Sequence, residues 1–298
     1  MMTEPQFGGT YEQILRAARL AETEGLHSFA RSDHLAWDRE PAPEATDAFA
    51  TMGGLARDTE TVRLAVLVTP ITFRHPAIIA KNAATIDQMS GGRFDLGVGT
   101  GWNDFEHDAL GIPFPEDSER WARFEDALGY LEAAFGGGPG KHTGQFYNLD
   151  FDMRPKPTGL RLIIGGGGPR RTPTLAGTRA DEYNVFMCPA DEARGKIQVM
   201  REAAGERRVE VTMMGTVTAA GTDAELADLV TAAAGRRHIT SDELMTRWEK
   251  AGVLFGTPTQ LGEKIAALEE AGVERLYLQW LDLTDYDGLA RMIELVRG

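Results

Sequence analysis

At 298 residues and 32.5 kDa the chain is long enough for one large α/β domain or two small ones, and it needs no disulfide or metal to hold its core. A net charge of −14 argues against a nucleic-acid or acidic-membrane partner, and the single cysteine, Cys188, excludes an internal disulfide and a cysteine-based zinc site. No apolar run approaches membrane-spanning length and Met1–Gln6 has no signal-peptide pattern, so a cytoplasmic protein is expected.

Helix-period and strand-like segments alternate from the start. Tyr11–Glu24 places Tyr11, Ile14, Leu15, Ala18 and Ala21 on one face, with Thr10 and Gln13 as a capping box and Gly25 as the stop. A short strand at His27–Arg31, a proline-bearing loop and a helix near Ala45–Arg57 follow. Val62–Ile71 is a continuous apolar run, the pattern of a strand covered on both faces. Pro76–Met89 reads as a helix stopped by Gly91-Gly92, and Phe94, Leu96 and Val98 mark the next strand. The stretch Trp102–Pro115 reads as a loop, Ser118–Phe135 as a long helix and Lys141–Arg154 as a hairpin.

The alternation then resumes. Strand Leu160–Ile164 precedes helix Pro169–Thr178, and strand Tyr183–Met187 precedes helix Ala190–Ala204. Strand Val209–Val217 leads to a helix capped by Thr222 and Glu225. Thr257, Pro258 and Gln260 open Pro258–Ala271, and strand Val273–Leu281 and helix Tyr286–Arg297 close the chain. Seven strands separated by helices, with no composition break, favour a single closed (β/α)8 barrel domain over residues 1–298. Only MMTEPQFG precedes the first helix, so the first strand is expected to be very short or truncated.

In such a barrel the C-terminal strand ends share one rim, where chemistry usually happens. That rim would carry Asp33-His34, Thr69-Pro70, Thr100-Gly101-Trp102-Asn103, Gly165–Arg171, Asn184–Cys188 and Trp280-Leu281-Asp282. Gly165 to Gly168, followed by Pro169-Arg170-Arg171, is the strongest local signal. Four glycines free backbone N–H groups before a helix start, and the arginines add charge-assisted contacts to a phosphate. A ligand-free strand-to-helix turn is the plainer reading. The Asp33-His34 pair suits either proton transfer or a backbone-satisfied loop histidine.

His75 is expected to be a packing residue at a helix start and Cys188 a buried inert thiol; Glu106 and His107 could line the substrate side, with a solvated loop pair the default reading. Gly97-Val98-Gly99-Thr100-Gly101 is not a dinucleotide fingerprint, because a loop rather than a helix follows it. The strand-end glycines Gly99 and Gly101 would instead leave bare backbone for a flat ring or phosphate.

These residues, together with FARSDH, GWNDFEHDALGIPFP, FYNLDFDMRPKP and IIGGGGPRRT, resemble the luciferase-like flavin oxidoreductase superfamily over nearly the whole chain. The branch most resembled uses the deazaflavin coenzyme F420. The resemblance implies a (β/α)8 TIM barrel with insertions, commonly homodimeric, with the ring in the barrel mouth. It implies a non-proline cis peptide behind the ring at Val66-Leu67, ring contacts from Thr100 and Gly101, and a phosphate tail held by Gly166, Gly167, Gly168 and Arg170. Asp33 and His34 match the family's Asp-His pair, with His34 assisting proton movement. Trp102 stands where sugar-phosphate dehydrogenases of the family carry a glutamate, and Trp37 is one residue closer to the histidine than their loop tryptophan.

The expectation is therefore an F420-dependent oxidoreductase moving a hydride to or from a small organic substrate, with no metal. The alternatives are an FMN-dependent monooxygenase on the same barrel and a non-catalytic flavin-binding protein.

Overall fold

A computed structural model describes residues 1–38 and 40–298. It contains two compact units, Thr3–Gly165 and Gly166–Gly298, the second also taking in Met1–Met2. Each is a run of βα repeats.

The chain opens with β1 (Met2–Thr3), the very short first strand that the sequence allows. Thr3 is tied to the next strand by its hydroxyl, which donates to the Ala30 carbonyl at 3.2 Å. Helix α1 (Tyr11–Thr23) starts at the expected Thr10/Gln13 capping box and buries Ile14, Ala17, Ala18 and Ala21. Then come β2 (Ser28–Arg31), α2 (Ala48–Asp58), β3 (Arg63–Pro70), α3 (Pro76–Ser90) and β4 (Phe94–Gly99). His75 is the N-cap of α3, and its ring packs edge-on against Tyr130 and Tyr147, as a packing residue should.

The stretch expected to be a loop holds a two-turn helix, α4 (Asp104–Leu110), closed by Gly111 in the left-handed region. After it come α5 (Asp117–Phe135), the expected antiparallel hairpin β5 (Gly140–Thr143) and β6 (Asn148–Phe151), and β7 (Arg161–Gly166). Strands β2, β3, β4 and β7 pair in parallel in that order, aligning Ser28 with Arg63, Leu64 with Phe94 and Asp95 with Arg161. Leu64, Ala65, Val66 and Leu67 of β3 are all buried, which accounts for its unbroken hydrophobic run, while β4 is buried throughout but turns Phe94, Leu96 and Val98 to one face and Asp95, Gly97 and Gly99 to the other.

In the second unit α6 (Arg171–Arg179), β8 (Glu182–Phe186), α7 (Ala190–Ala204) and β9 (Glu210–Ala219) lead to α8 (Asp223–Gly235) and α9 (Ser241–Ala251). The chain ends with β10 (Leu254–Gly256), α10 (Pro258–Ala271), β11 (Arg275–Trp280) and α11 (Tyr286–Arg297). Strand β9 is central and pairs in parallel with β8, β10 and β11. Sequence reasoning omits α9 and β10. Strand β10 is three residues long, too short to show a period, and α9 buries only Leu244, against Val230, Ala233 and Ala234 of α8. Among the described residues no helix is long and apolar enough to cross a membrane.

Candidate active site

The site is built up from the ends of β2, β3 and β4. Strand β3 breaks register with β4 between Val66 and Thr69, and the cis peptide lies at Leu67-Val68, one bond later than Val66-Leu67. The irregularity pushes the chain onto β4. A Cβ on Gly97 would stand 2.4 Å from the Val66 carbonyl oxygen and 2.8 Å from Val68 Cγ1. At Gly99 it would meet Val68 Cγ2 at 3.0 Å. Gly97 is therefore demanded by the protein's own bulge and Gly99 is crowded by it, which corrects the reading of Gly99 as space kept for a ligand.

Past β4, Thr100 and Gly101 are both partly exposed, and Gly101 has φ +82, a backbone conformation that favours glycine. A Cβ there would lie 3.1 Å from Thr72 Oγ1 and 3.2 Å from Pro70 Cβ.

The loop after β2 carries Asp33 and His34, and it is fixed from below. Arg31, wholly buried, donates to the carbonyls of Ser32 and Thr46 at 2.8 Å each and to the hydroxyls of Thr46 and Thr51 at 2.9 and 3.0 Å. Asp33 is buried and does not orient its neighbour. Its carboxylate takes both terminal nitrogens of Arg74, which also bonds Asp47 at 2.6 Å and lies over the Phe49 ring. Burial opposes the Arg74 charge, but the two carboxylates outweigh it and hold its pKa above the ordinary guanidinium value.

His34 finds a different carboxylate. Its Nδ1 lies 2.8 Å from Glu106 Oε1, while Glu106 Oε2 accepts from the backbone N–H of Leu35 at 2.9 Å and of Ala36 at 3.4 Å. Glu106 is only 1% exposed, so the solvated-loop expectation for it is wrong. Burial disfavours the imidazolium, yet the Glu106 hydrogen bond and charge prevail and raise the His34 pKa above its usual value. In the same way burial works to raise the Glu106 pKa, and the His34 and backbone hydrogen bonds bring it below the ordinary glutamate value.

Aromatic rings flank this pair. Trp37 and Trp102 stand edge-on to the His34 ring at centroid distances of 5.8 and 5.5 Å, and Phe7 stands edge-on to Trp37 at 4.9 Å. Trp102 is 67% exposed, a large apolar surface beside the histidine.

His107, next on α4, is buried and closed. Its Nδ1 donates to the Asn103 carbonyl at 2.6 Å, so its Nε2, 2.8 Å from Thr72 Oγ1, accepts from that hydroxyl when the ring is neutral. Its ring packs against Phe73 and Phe114. It is a structural histidine, not half of a solvated pair.

In the second unit the glycine run ends β7. Gly166 has φ +155, Gly167 is exposed, and Cβ atoms on Gly166 and Gly168 would crowd Thr172 at 3.4 and 3.1 Å. Pro169 precedes the helix rather than starting it. Arg170 is the N-cap and gives α6 no side-chain cap. Arg170 and Arg171 are exposed at that helix start.

The remaining rim candidates are committed elsewhere. Asn184 donates to Thr212 Oγ1 at 2.9 Å inside the unit, and Trp280 Nε1 donates to the Asp282 carbonyl at 2.6 Å. Cys188 is a free, buried thiol whose pKa burial pushes up, as expected of an inert one.

Glu106 is the site residue that sequence reasoning undervalued. Its partner is 72 residues away, and the one local hint is a charged residue in a segment bounded by Asn103 and Gly111 that can form a short helix.

The family model for luciferase-like monooxygenases matches residues 1–275. An F420-dependent glucose-6-phosphate dehydrogenase of Beutenbergia cavernae is 33% identical over 61% of this chain and 53% of its own length, so the chain spans about half the length of that relative. An FMNH2-dependent dimethylsulfone monooxygenase of Pseudomonas fluorescens is 27% identical over 84% of this chain and 78% of its own. The crystal structure of the monooxygenase RslO1 from Streptomyces bottropensis is 21% identical and superposes with a TM-score of 0.81 over 99% of this chain and 97% of that one. That likeness gives the fold, the eight-stranded parallel (β/α)8 barrel of luciferase-like type. The chain thus belongs to the luciferase-like monooxygenase family.

Proposed function

We propose that this protein is a coenzyme F420-dependent oxidoreductase that moves a hydride to or from a small organic substrate, with His34 exchanging the accompanying proton. His34 is the observation that carries this reading. Its side chain is 17% exposed and shares a three-ring cluster with Trp37 and Trp102, with one ring nitrogen on Glu106 and the other without a partner among the described residues. Hydride movement at a carbon–oxygen bond requires one proton to be given or taken at oxygen, and an imidazole with a free ring nitrogen can do both. The 33% identity to an F420-dependent dehydrogenase supports the choice of cofactor.

The residues fit such a ligand, which when bound supplies a two-electron hydride donor and acceptor. In the first unit the irregular segment Val66-Leu67-Val68 and the partly exposed backbone of Thr100-Gly101 suit a flat ring. In the second, Gly166, Gly167 and Gly168 with the uncapped start of α6 and the Arg170 guanidinium make a donor set for phosphate. Trp37 and Trp102 would stack and shield the substrate side, keeping water from the reacting carbon.

A second reading, an FMN-dependent monooxygenase, is favoured by the longer alignment with the dimethylsulfone enzyme. The glycine–arginine donor set serves either cofactor. Titration of the purified protein with F420 and with FMN, read by fluorescence or calorimetry, separates the two. Tight F420 binding with weak FMN binding is expected. Oxygen uptake with reduced FMN, and no response to F420, would overturn the proposal in favour of the second reading.

A further inference from the structure

We propose that Glu106 is a positioning residue for His34, holding the imidazole in the tautomer that carries its proton on Nδ1 and so leaving Nε2 as the nitrogen that exchanges protons. The inference deepens the reading of His34 given above and rests on it for its bearing on catalysis.

A carboxylate offers acceptors only. With Glu106 Oε1 at 2.8 Å, Nδ1 must be the donor whether the ring is neutral or charged. Free neutral imidazole prefers its proton on Nε2, so this contact reverses the default. The second oxygen accepts from the N–H groups of Leu35 and Ala36, the two residues that follow His34. One carboxylate therefore fixes both the ring and the backbone that carries it. Glu106 lies almost wholly out of water, so no solvent competes for those bonds. The edges of Trp37 and Trp102 limit rotation of the ring plane.

The charged groups that face His34 are Glu106 from α4, Glu4 from the turn after β1, and Asp33 beside it in the chain. Two of these are already answered. Asp33 is paired with Arg74, and Glu4 accepts from Gln6 Nε2 at 2.6 Å. Glu106 is the carboxylate in direct contact with the ring. A glutamine at 106 would be the same size but has one acceptor and one donor end. With its oxygen on Nδ1, its NH2 would face the Leu35 N–H. With its oxygen on the amides, its NH2 would face Nδ1 and force the other tautomer.

The test is long-range 1H–15N correlation of imidazole-labelled protein over roughly pH 5 to 9, with His34 assigned by loss of its signals in His34→Gln. In the wild type, neutral His34 should carry its proton on Nδ1. In Glu106→Gln the titration midpoint should fall by about one pH unit or more, the scale of losing an adjacent opposite charge. A wild-type Nε2–H tautomer, or an unchanged midpoint in Glu106→Gln, overturns the inference. The wild-type tautomer is read without any change at Glu106, so a poorly folded variant still leaves a decisive result. Full hydride transfer by His34→Ala would instead sink the proposed reaction while leaving the tautomer result to stand by itself.

Discussion

The two units treat buried charge differently. In the second, Asn184 donates to Thr212, Thr212 donates to the fully buried Glu182, and Arg275 bonds Glu182 at 2.7 Å and also Glu210. These residues lie at registered positions of β8, β9 and β11, so the network is a ladder across three strands with a donor set against each acceptor. In the first unit the Asp33–Arg74–Asp47 cluster closes in the same way, but the neighbouring His34–Glu106 pair does not. There a buried carboxylate holds one ring nitrogen and leaves the other unspent. Burying polar groups costs free energy unless they are paired, so a closed ladder stabilises structure and a half-open pair is a group held ready for something else.

Opening the ladder should have the largest effect on stability. Arg275→Leu leaves Glu182 buried without its cation and should cost roughly 3–5 kcal/mol in chemical denaturation, while the His34 titration stays as in the wild type. Arg74→Leu strands Asp33 in the same way. Its cost should be smaller, about 2–3 kcal/mol, because that loop is also held by the Arg31 hydrogen bonds. If both variants shifted the His34 midpoint equally, the distinction between the units would fail.

The glycines sharpen the same contrast. Gly97→Ala drives a methyl into the Val66 carbonyl and should destabilise by roughly 1–3 kcal/mol. Gly167→Ala meets only Phe186 Cβ at an ordinary 3.8 Å and should change stability by less than about 0.5 kcal/mol. Its predicted defect, if Gly167 holds a phosphate tail, is weaker cofactor binding by calorimetry.

The smallest effect is a pH dependence. His34 has a pKa raised above 6.5 on folding, so its contribution is full below that value and is lost as pH climbs through the raised one. Glu106 has a pKa lowered from 4.5, so its contribution is present above that value and is lost as pH falls through the lowered one. The stability gap between the wild type and Glu106→Gln should therefore be widest from about pH 4.5 to 6.5 and narrow on both sides. A gap independent of pH would show that Glu106 acts through its backbone contacts alone.

Most of the barrel is legible in the sequence because its strands are covered on both faces and its helices carry strong caps. Val62–Ile71 and the Thr10/Gln13 box announce themselves locally. Helix α4 does not, because the residues it buries are Glu106 and His107, which give no apolar period. The pairing of His34 is equally hidden. Its nearest acid in sequence is Asp33, yet that carboxylate belongs to Arg74, 41 residues on. The cis bond lies one residue beyond its expected place because Val66, Leu67 and Val68 are alike in character, and only pairing with β4 fixes where the register breaks.

The central claim is that His34 exchanges the proton in an F420-dependent hydride transfer. Single-turnover transfer between F420 and an identified substrate, followed by the absorbance of the deazaflavin in the wild type and in His34→Ala, tests it most directly. Comparable F420 affinity with transfer slowed roughly 10²- to 10⁴-fold is the expected result. A folded His34→Ala protein that binds F420 and transfers hydride at the wild-type rate would contradict it.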